Sequence, residues 1–402
     1  MRILYVGFLT TPEQFQSLSG RDPRPQISAH RFAGDLIDAL VSAGAEVHGV
    51  CSPPIHGPRQ TGTTTIPALD FDRGPGTAFR QIATSNASPV RDWQRWRKAV
   101  AQAMADRAMH DCDAILVYSV HTPVVAAGLE LSRRLGRPAT VFIPDLPLFT
   151  GVRGPRLLAK RLDDRFVRAL VRRYAGALPI APGIARDWLP RELPYMVFEG
   201  VSAEAAQALR RVARHGQSPL PADPLLLYTG TLDQTLRFAQ LFRRTGTPAR
   251  LRFVGGGPDD AALRALAEED RRITVAGFVS GAELERELAS ADAFVNPRDP
   301  SWAGGDYSFP SKTFQYLASG KPIISTRLTA YPDDYLNVLR IVSMDDATGL
   351  ERDLNLAIAS KRPLDAAAHD RLANRLDPEG AGRRLLPFLQ GPTGVTETHA
   401  LS

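Results

Sequence analysis

The chain has 402 residues, 44% of them hydrophobic and 23% charged, with a formal net charge of +6. This length is too great for one ordinary core and predicts two domains, and the composition is typical of an ordered globular protein. Cys51 and Cys112 lie far apart without a metal-ligand neighbourhood, which indicates core thiols in a reducing compartment.

The N-terminal segment MRILYVG has one early Arg and an apolar run that ends in Gly, and it predicts a first buried strand better than a secretory signal. No uncharged apolar run in the sequence approaches the roughly 18 to 20 residues of a membrane span. We therefore expect a cytoplasmic protein, peripheral at most on the inner face of the membrane.

The first half of the chain alternates short apolar runs with helical patterns. Buried parallel strands are predicted for RILYVG, AEVHGV, DAILVYS and ATVFIP, and an amphipathic helix that ends at Gly44 separates the first two. The second half repeats this order with PLLLYTG, ARLRFVGGG, RITVAGF, DAFVNP and KPIIST. Two such series predict an α/β fold of two Rossmann-like, doubly wound domains, which we expect to face a cleft suited to two substrates.

The domain boundary is expected near residue 200, where a helical segment leads into a linker rich in Pro, Ser and Gly. The predicted domains are then 1–200 and 201–377. A C-terminal helix at about 378–390 is expected to pack back on the first domain. The polar tail 391–402 is expected to be frayed.

The segment SFPSKTFQYLASGKPIIST, residues 308–326, predicts a loop, a helix, a turn and a strand. The helix opens at Ser311, and its predicted buried face is formed by Phe314, Leu317 and Ala318. Lys312 then lies at the positive end of the helix dipole, which is unfavourable for a cation unless an anion shares the place. Lys312 is therefore the first candidate for an anion site, and a solvated surface lysine is the alternative.

Basic charge is concentrated between Arg153 and Gly176, where eight Arg and Lys stand against two Asp. As a helix, this segment places an apolar face beside the cations, formed by Leu157, Leu158, Leu162, Phe166, Ala169, Leu170 and Val171. Such a helix can lie on an anionic membrane surface, or it can pack the apolar face into the core and expose its charges. Nucleic-acid binding is not expected, because no DNA- or RNA-binding motif accompanies the charge.

The second half resembles glycosyltransferases of the GT-B architecture, and specifically the large retaining family 4 in its bacterial subgroup that builds surface polysaccharides. The resemblance covers roughly residues 115–340 and is carried by YTGTL, FVGGGP, VAGFVSGAELERELASADAFVNPR and, most specifically, SFPSKTFQYLASGKPII. YSVHTP and IPDLPLF look like acceptor-domain loops of that subgroup. The resemblance implies transfer of a sugar from a nucleotide-diphosphate sugar, held by the second domain, to a glycan, lipid-linked or small-molecule acceptor, held by the first.

The same resemblance implies a donor site at the strand ends and helix start of the second domain. Lys312 and Arg298 would stabilise charge on the leaving diphosphate, and the backbone at Phe278 and Val279 would contact the base. The other implied donor contacts are Gly230, Thr231, Gly256, Ser311, Thr313 and Gln315. A tight turn at Gly230 and a structural ion pair at Arg298 are the alternatives.

Two departures from the family pattern affect this site. Family members carry two Glu with seven residues between them, and Tyr307 and Gln315 stand at these positions here. Gln315 can hydrogen-bond a hydroxyl but supplies no carboxylate. The family's Arg and Lys after the first strand of the second domain are missing from TGTLDQTLRF, unless Arg237 reaches the site. A different diphosphate clamp, an unusual donor and reduced activity all remain open.

The candidate catalytic residues are Asp145 and His121 in the first domain and Lys312 in the second. Asp145 follows a predicted strand and could bind or deprotonate an acceptor hydroxyl, and a loop-capping turn is the alternative. His121 follows another strand, where a structural histidine is an equal alternative. The resemblance implies retention, in which the leaving phosphate helps to deprotonate the acceptor and no strong base is required.

No metal or other cofactor is expected. The chain lacks an obvious Asp-x-Asp pair at a strand end, and PDD at 258–260 and at 332–334 is predicted to begin helices. A catalytically silent binding or scaffold relative is the main alternative function. A nucleotide-sugar epimerase fits less well, because no convincing His and carboxylate set for proton abstraction is present.

Overall fold

The computed structural model describes residues 1–22, 25–146, 155–299, 302, 304–359 and 365–391. The chain divides into two compact units: unit 1 comprises Met1–Val201 and Asp377–Ser402, and unit 2 comprises Ser202–Leu376. Each unit contains one large, mainly parallel sheet with helices. The predicted α/β fold with two doubly wound domains is therefore confirmed. Of the tail expected to be frayed, only Gly391 is described.

The strands of unit 1 are β1 (Arg2–Phe8), β2 (Glu46–Ser52), β3 (Thr65–Ile66), β4 (Leu69–Phe71), β5 (Thr77–Gln81), β6 (Thr84–Ser85), β7 (Ala114–Tyr118), β8 (Ala139–Ile143) and β9 (Gly176–Pro179). Seven of them form a sheet in the order β4-β5-β2-β1-β7-β8-β9, and β3 pairs with β6. Within the large sheet only the β4–β5 pair is antiparallel. Tyr5 lies opposite Gly49 on one side and Leu116 on the other.

The helices of the first part of unit 1 are α1 (Pro12–Ser19), α2 (Ile27–Ser42), α3 (Pro58–Thr61), α4 (Val90–Ala105), α5 (Arg107–His110), α6 (Thr122–Leu135), α7 (Pro155–Val171) and α8 (Pro182–Asp187). Local sequence explains several of their ends. Thr11 caps α1 by accepting a hydrogen bond from Gln14 N, and Gly136 ends α6 in a left-handed conformation. The central strands β7 and β8 are buried along their whole length, as expected for a parallel sheet covered on both faces.

The strands of unit 2 are β10 (Leu225–Thr229), β11 (Arg250–Val254), β12 (Ile273–Gly277), β13 (Ala293–Asn296), β14 (Ile323–Thr326) and β15 (Arg340–Val342). They form one parallel sheet in the order β12-β11-β10-β13-β14-β15. The helices are α9 (Ala203–His215), α10 (Leu236–Arg243), α11 (Asp260–Glu269), α12 (Ala282–Ser290), α13 (Lys312–Ser319), α14 (Asp333–Leu336), α15 (Ala347–Ala359) and α16 (Ala366–Leu376). A short 3-10 helix covers Gly305–Tyr307.

The last helix, α17 (Pro378–Gln390), belongs to unit 1. Its residues Ala381, Leu385, Phe388 and Leu389 are part of the same buried apolar cluster as α2 and β1. Gly382 lies so close to α2 that a β-carbon there would collide with the carbonyl oxygen of Ala39. Helix α17 thus completes the core of unit 1 by backbone-to-backbone packing.

The apolar face predicted for the basic segment is split in two. Of the predicted face, Val171 is buried, whereas Leu158, Leu162 and Phe166 are 63%, 57% and 55% exposed; Val167, which was not predicted, is also buried. The apolar residues span a wider arc of the helix than its neighbours cover, so one stripe remains at the surface. The part of the prediction at 153–154 lies outside the described residues. No helix in the described ranges has the length and hydropathy required to cross a membrane.

Candidate active site

In unit 2 the sheet order changes direction between β10 and β13, and the strands' carboxyl ends at this point carry several of the predicted donor residues. Gly230 follows β10, Gly255 follows β11 and Arg298 comes shortly after β13. In open parallel sheets, ligands bind beyond the carboxyl ends at such a switch point. Gly230 and Gly255 have φ values of +121° and +143°, and a β-carbon at Gly255 would collide with the carbonyl oxygen of Gly230. Only Gly fits this close approach of two strand ends.

Lys312 is the first residue of α13 and lies against Gly230, where a β-carbon would collide with the end of the lysine side chain. Its Nζ donates a hydrogen bond to Tyr228 Oη at 2.9 Å and lies 4.6 Å from the centre of that ring. Burial, with a smaller effect of the Arg298 charge, lowers the pKa of Lys312 to about 8, and Asp233 opposes the shift. Lys312 therefore remains mostly charged at neutral pH, and none of the described carboxylates forms an ion pair with it.

Arg298 is the second cation at this point. Its guanidinium carbon lies 5.7 Å from the centre of the Trp302 ring, and its carbonyl oxygen accepts a hydrogen bond from Thr326 Oγ1 at 2.7 Å. Within the described residues its guanidinium also has no carboxylate partner. The ion pair considered as an alternative for Arg298 is thus not found there, and two half-buried cations converge on the same strand ends.

Buried tyrosines fix the position of α13. Tyr316 Oη accepts a hydrogen bond from Thr229 N at 2.9 Å, and its ring stacks on Phe294 at 4.5 Å between centres. Thr313 Oγ1 lies 3.0 Å from Tyr331 Oη. The buried residues of α13 are Thr313, Tyr316 and Leu317, so the predicted face of Phe314, Leu317 and Ala318 is wrong in part. The hydrogen bond to the backbone of β10 is what draws Tyr316 inward.

The other predicted donor contacts have varied surroundings. Thr231, Gly256, Ser311 and Gln315 are exposed, Val279 is half-buried, and Phe278 is 84% exposed directly after the edge strand β12. A β-carbon at Gly256 would meet open space, so its Gly is not explained by crowding. Thr313 is fully buried, its N donates to Pro310 O, and its hydroxyl contacts Tyr331, so it supports the fold of α13 rather than facing solvent.

Arg237 is engaged by a carboxylate of its own, unlike Lys312 and Arg298 among the described residues. Its guanidinium forms an ion pair with Asp299 at 3.2 Å and donates to Met344 O at 2.8 Å. Asp259 and Asp260 lie at the start of α11, and Asp259 accepts hydrogen bonds from Thr235 at the start of α10. Among the residues the structure covers, no three His, Cys, Asp or Glu side chains are grouped as metal ligands.

A cavity of about 550 Å³ in unit 2 is unrelated to these groups. It is lined by residues of α9 and by Asp292, Lys321 and Pro322, which precede β13 and β14. It therefore lies at the edge where the strands begin. Lys321 is engaged there, because its Nζ donates to the carbonyl oxygens of Leu288, Ala289 and Ala291 at the end of α12.

Unit 1 has its own switch point between β1 and β7, and His121 lies beside it at the start of α6. His121 Nε2 is 3.8 Å from Asp92 Oδ1, and Nδ1 is buried with no hydrogen-bond partner among the described residues. Burial, with a smaller effect of Arg95, lowers the pKa of His121 to about 4. The imidazole is therefore neutral at physiological pH.

Asp145 follows β8, and its side chain keeps contact with solvent. The surrounding protein partly desolvates the carboxylate and raises its pKa to about 6. No described hydrogen bond or ion pair joins it to His121. The structure thus places the two candidate first-domain residues at the ends of different strands, β8 and β7, without direct coupling.

Sequence reasoning missed Arg95. This residue of α4 is 4% exposed, and its guanidinium reaches the ends of β1 and β2. Its sequence context, RDWQRWRKAV, contains four cations. The apolar residues Trp96, Ala99 and Val100 are the one signal for the inward-facing side of this helix. That signal does not single out one Arg.

Solved structures that are similar over nearly the whole chain include HepE, WaaB and WaaG. HepE from Anabaena in complex with UDP shares 12% identity with a TM-score of 0.55, over 97% of this chain and 99% of that one. The lipopolysaccharide outer core galactosyltransferase WaaB shares 14% identity with a TM-score of 0.55, over 97% of this chain and 100% of that one. WaaG, a glycosyltransferase involved in lipopolysaccharide biosynthesis, shares 13% identity with a TM-score of 0.52, over 97% of this chain and 99% of that one.

These likenesses show that the chain has the two-domain GT-B fold. Residues 223–358, most of unit 2, match the family model described as Glycosyl transferases group 1. A sequence comparison with curated proteins gives no match.

Proposed function

We propose that this protein is a glycosyltransferase that moves a sugar from a nucleotide-diphosphate donor to a glycan, lipid-linked or small-molecule acceptor. The observation that carries the proposal is the pair of cations without carboxylate partners, Lys312 and Arg298, at the switch point of unit 2. Positive charge fixed in advance stabilises a leaving diphosphate in the transition state. The match of residues 223–358 to a glycosyltransferase family supports this proposal, as does the binding of UDP by HepE.

The first experiment is a thermal-shift panel of UDP, GDP, dTDP and CMP sugars, followed by donor hydrolysis and transfer assays with the compounds that bind. A ligand that binds only the folded state raises its stability. Lys312→Ala should slow transfer by about 10²- to 10³-fold, as the loss of one such stabiliser commonly does. Lys98→Ala, which removes an exposed lysine of unit 1, is the control and should keep its rate. Equal rates in a folded Lys312→Ala protein and in the wild type would contradict the proposal.

We further propose retention of the anomeric configuration without a metal or other cofactor. Retention needs no strong base, and His121 is neutral with no direct contact to Asp145. Proton NMR of the product compares its anomeric configuration with that of the donor. An inverted product would instead favour Asp145 as the catalytic base, since a carboxylate with a pKa of about 6 accepts a proton readily at neutral pH.

A protein that binds a nucleotide sugar without transferring it is the second candidate. Tyr307 and Gln315, in place of the family's two Glu, favour this alternative, because neither supplies a carboxylate to the donor. The panel and the turnover assay separate the two functions. Nucleotide-sugar binding with neither hydrolysis nor transfer, across the acceptors tested, would favour the binding protein.

Peripheral contact with an anionic membrane surface, at the inner face of the membrane in the cytoplasm, is part of the proposal. Leu158, Leu162 and Phe166 form an exposed stripe of α7, and Arg161 and Arg165 are exposed beside it. Such a stripe can insert between lipid headgroups while its cations attract anionic lipid, by about 1 kcal/mol each.

Sedimentation with anionic vesicles at low and high salt tests this contact. Phe166→Ser should reduce binding, and Leu356→Ser, which removes an exposed apolar side chain of unit 2, is the control. Vesicle binding that is absent even at low salt, or equal in both variants, would argue for a soluble acceptor.

A further inference from the structure

Arg95 is a buried cation whose direct partners are all neutral. Its Nε donates to Ser52 Oγ at 3.0 Å and its Nη2 to Pro53 O at 3.4 Å, and its guanidinium lies 5.0 Å from the centre of the Phe8 ring. Phe8 and Ser52 are the last residues of β1 and β2. Arg95 therefore lies over the carboxyl ends of adjacent strands, next to the switch point of unit 1.

The charges around Arg95 do not balance it. Arg91 adds a second cation, and Asp92 is the carboxylate that acts on both. Asp92 is already shared: it lies 3.5 Å from Arg91 Nε and 3.8 Å from His121 Nε2, and Ser88 Oγ donates to it at 2.5 Å. No described carboxylate lies within ion-pair distance of Arg95 itself. Two guanidinium groups thus share one carboxylate, although an uncompensated buried charge is costly.

His121 adds an unused polar atom to the same group. Its ring lies 5.7 Å from that of Phe8, and its buried Nδ1 has no hydrogen-bond partner in the part of the chain that the structure describes. Buried polar atoms are normally paired, so this ring nitrogen, beside a cation whose charge is not balanced, is a second polar group that a ligand can engage.

We propose that Arg95, Arg91 and His121 form an oxyanion subsite in unit 1, which binds a phosphate or carboxylate group of the acceptor. The Arg fork suits two oxygens of either group. A neutral His121 can donate one N–H to a third oxygen of a phosphate, or to a second lone pair of a carboxylate oxygen. The assignment of this anion to the acceptor rests on the proposed glycosyltransferase function. The donor diphosphate has its own cations in unit 2, so the anion bound in unit 1 belongs to the second substrate.

The test uses the full chain, labelled with ¹³C in its histidine rings, and titrates it with inorganic phosphate, glucuronate and glucose. The signal of His121 is identified from the spectrum of His121→Gln. Phosphate or glucuronate should shift this signal saturably, and glucose, which has no charge, should leave it unmoved. A larger effect of phosphate points to a phosphorylated acceptor, and a larger effect of glucuronate points to an acidic sugar.

Arg95→Gln should weaken the anion affinity measured at His121 by about tenfold or more, since a charge-assisted contact is lost. Arg133→Gln, an exposed Arg of α6, is the matched control and should leave it unchanged. UDP binding should persist in Arg95→Gln, which shows that the variant is folded. If this variant does not fold, Arg91→Gln should give a smaller loss in the same titration.

A His121 signal that phosphate and glucuronate leave unmoved in the wild type would overturn the subsite, and so would equal affinities in Arg95→Gln and wild type. These results do not bear on the donor site, which is tested by UDP binding and by Lys312. Conversely, a protein that shows the anion response but binds no nucleotide would refute the proposed donor and keep the subsite.

Discussion

The affinity of the protein for UDP should fall as the pH rises through about 8, because the charged form of Lys312 binds the diphosphate. Burial disfavours this charge and holds the pKa of Lys312 at about 8, compared with 10.5 for an ordinary lysine. Below pH 8 the ammonium group is present and the anion site is complete. Above pH 8 the group becomes a neutral amine, and Arg298 is left as the one cation of the pair.

The size of the effect follows from the titration of one group. With a pKa of about 8, about 90% of Lys312 is charged at pH 7 and about 10% at pH 9, so the Kd for UDP should rise about tenfold between them. Lys312→Arg keeps its charge throughout this range. Any titration of UDP itself affects both proteins equally, so the ratio of their Kd values isolates Lys312.

The unliganded protein should respond in the opposite direction. The folded pKa is lower than the unfolded one, so the unfolded state binds more protons and the free energy of unfolding rises with pH between about 8 and 10.5. Lys312→Met lacks this contribution and serves as the reference.

Calorimetric titration with UDP at several pH values, with both variants in parallel, measures the binding effect. A Kd that has the same pH dependence in wild type and Lys312→Arg would refute the role of Lys312 as the titrating anion ligand.

Three other predictions concern the same unit and its reaction. Gly230→Ala should raise the Kd for UDP about tenfold, because the new methyl group collides with the end of the Lys312 side chain and because φ at this position is +121°. The calorimetric titration measures this Kd. A β-carbon at Gly256 meets open space, so Gly256→Ala should leave the free energy of unfolding nearly unchanged in a denaturant titration. Tyr316→Phe should lower the free energy of unfolding by about 1–3 kcal/mol, because it leaves Thr229 N buried without an acceptor, and a denaturant titration that shows no loss would contradict this. Transfer should continue in EDTA, and its abolition with recovery on adding Mn²⁺ or Mg²⁺ would show that a metal supplies the charge assigned here to Lys312 and Arg298.

The features that the sequence predicted well are those with strong local signals. The strands around Leu116 and Leu227 are continuous apolar runs, and parallel sheets buried on both faces require such runs. Lys312 could be placed at a helix start because Pro310, Ser311 and Gly320 mark the ends of α13. Lys312, at the start of α13, contacts Gly230, which follows β10, although the two residues are far apart in sequence. The βαβ order predicts this proximity, because it places the ends of the strands and the starts of the helices at one edge of the sheet.

The features that the sequence could not predict depend on tertiary packing. Tyr316 is buried because its hydroxyl finds Thr229 N on β10, and no helical periodicity contains that information. Phe166 is exposed because the apolar arc of α7 exceeds the surface it covers. Arg95 points inward on a helix rich in arginine, and only the positions of Ser52 and Phe8 distinguish it from its neighbours.

Helix α17 lies at the end of the chain but belongs to unit 1, and this has a consequence for biosynthesis. Unit 2 is one continuous stretch, Ser202–Leu376, whereas unit 1 needs both ends of the chain. A ribosome therefore synthesises all of unit 2 before it has made Leu385 and Leu389, which pack in the same apolar cluster as α2. Until then the nascent first half carries an uncovered apolar groove along Ala39, where chaperones can bind. A premature stop codon after Leu376 would leave unit 2 intact in sequence and make unit 1 the part that aggregates.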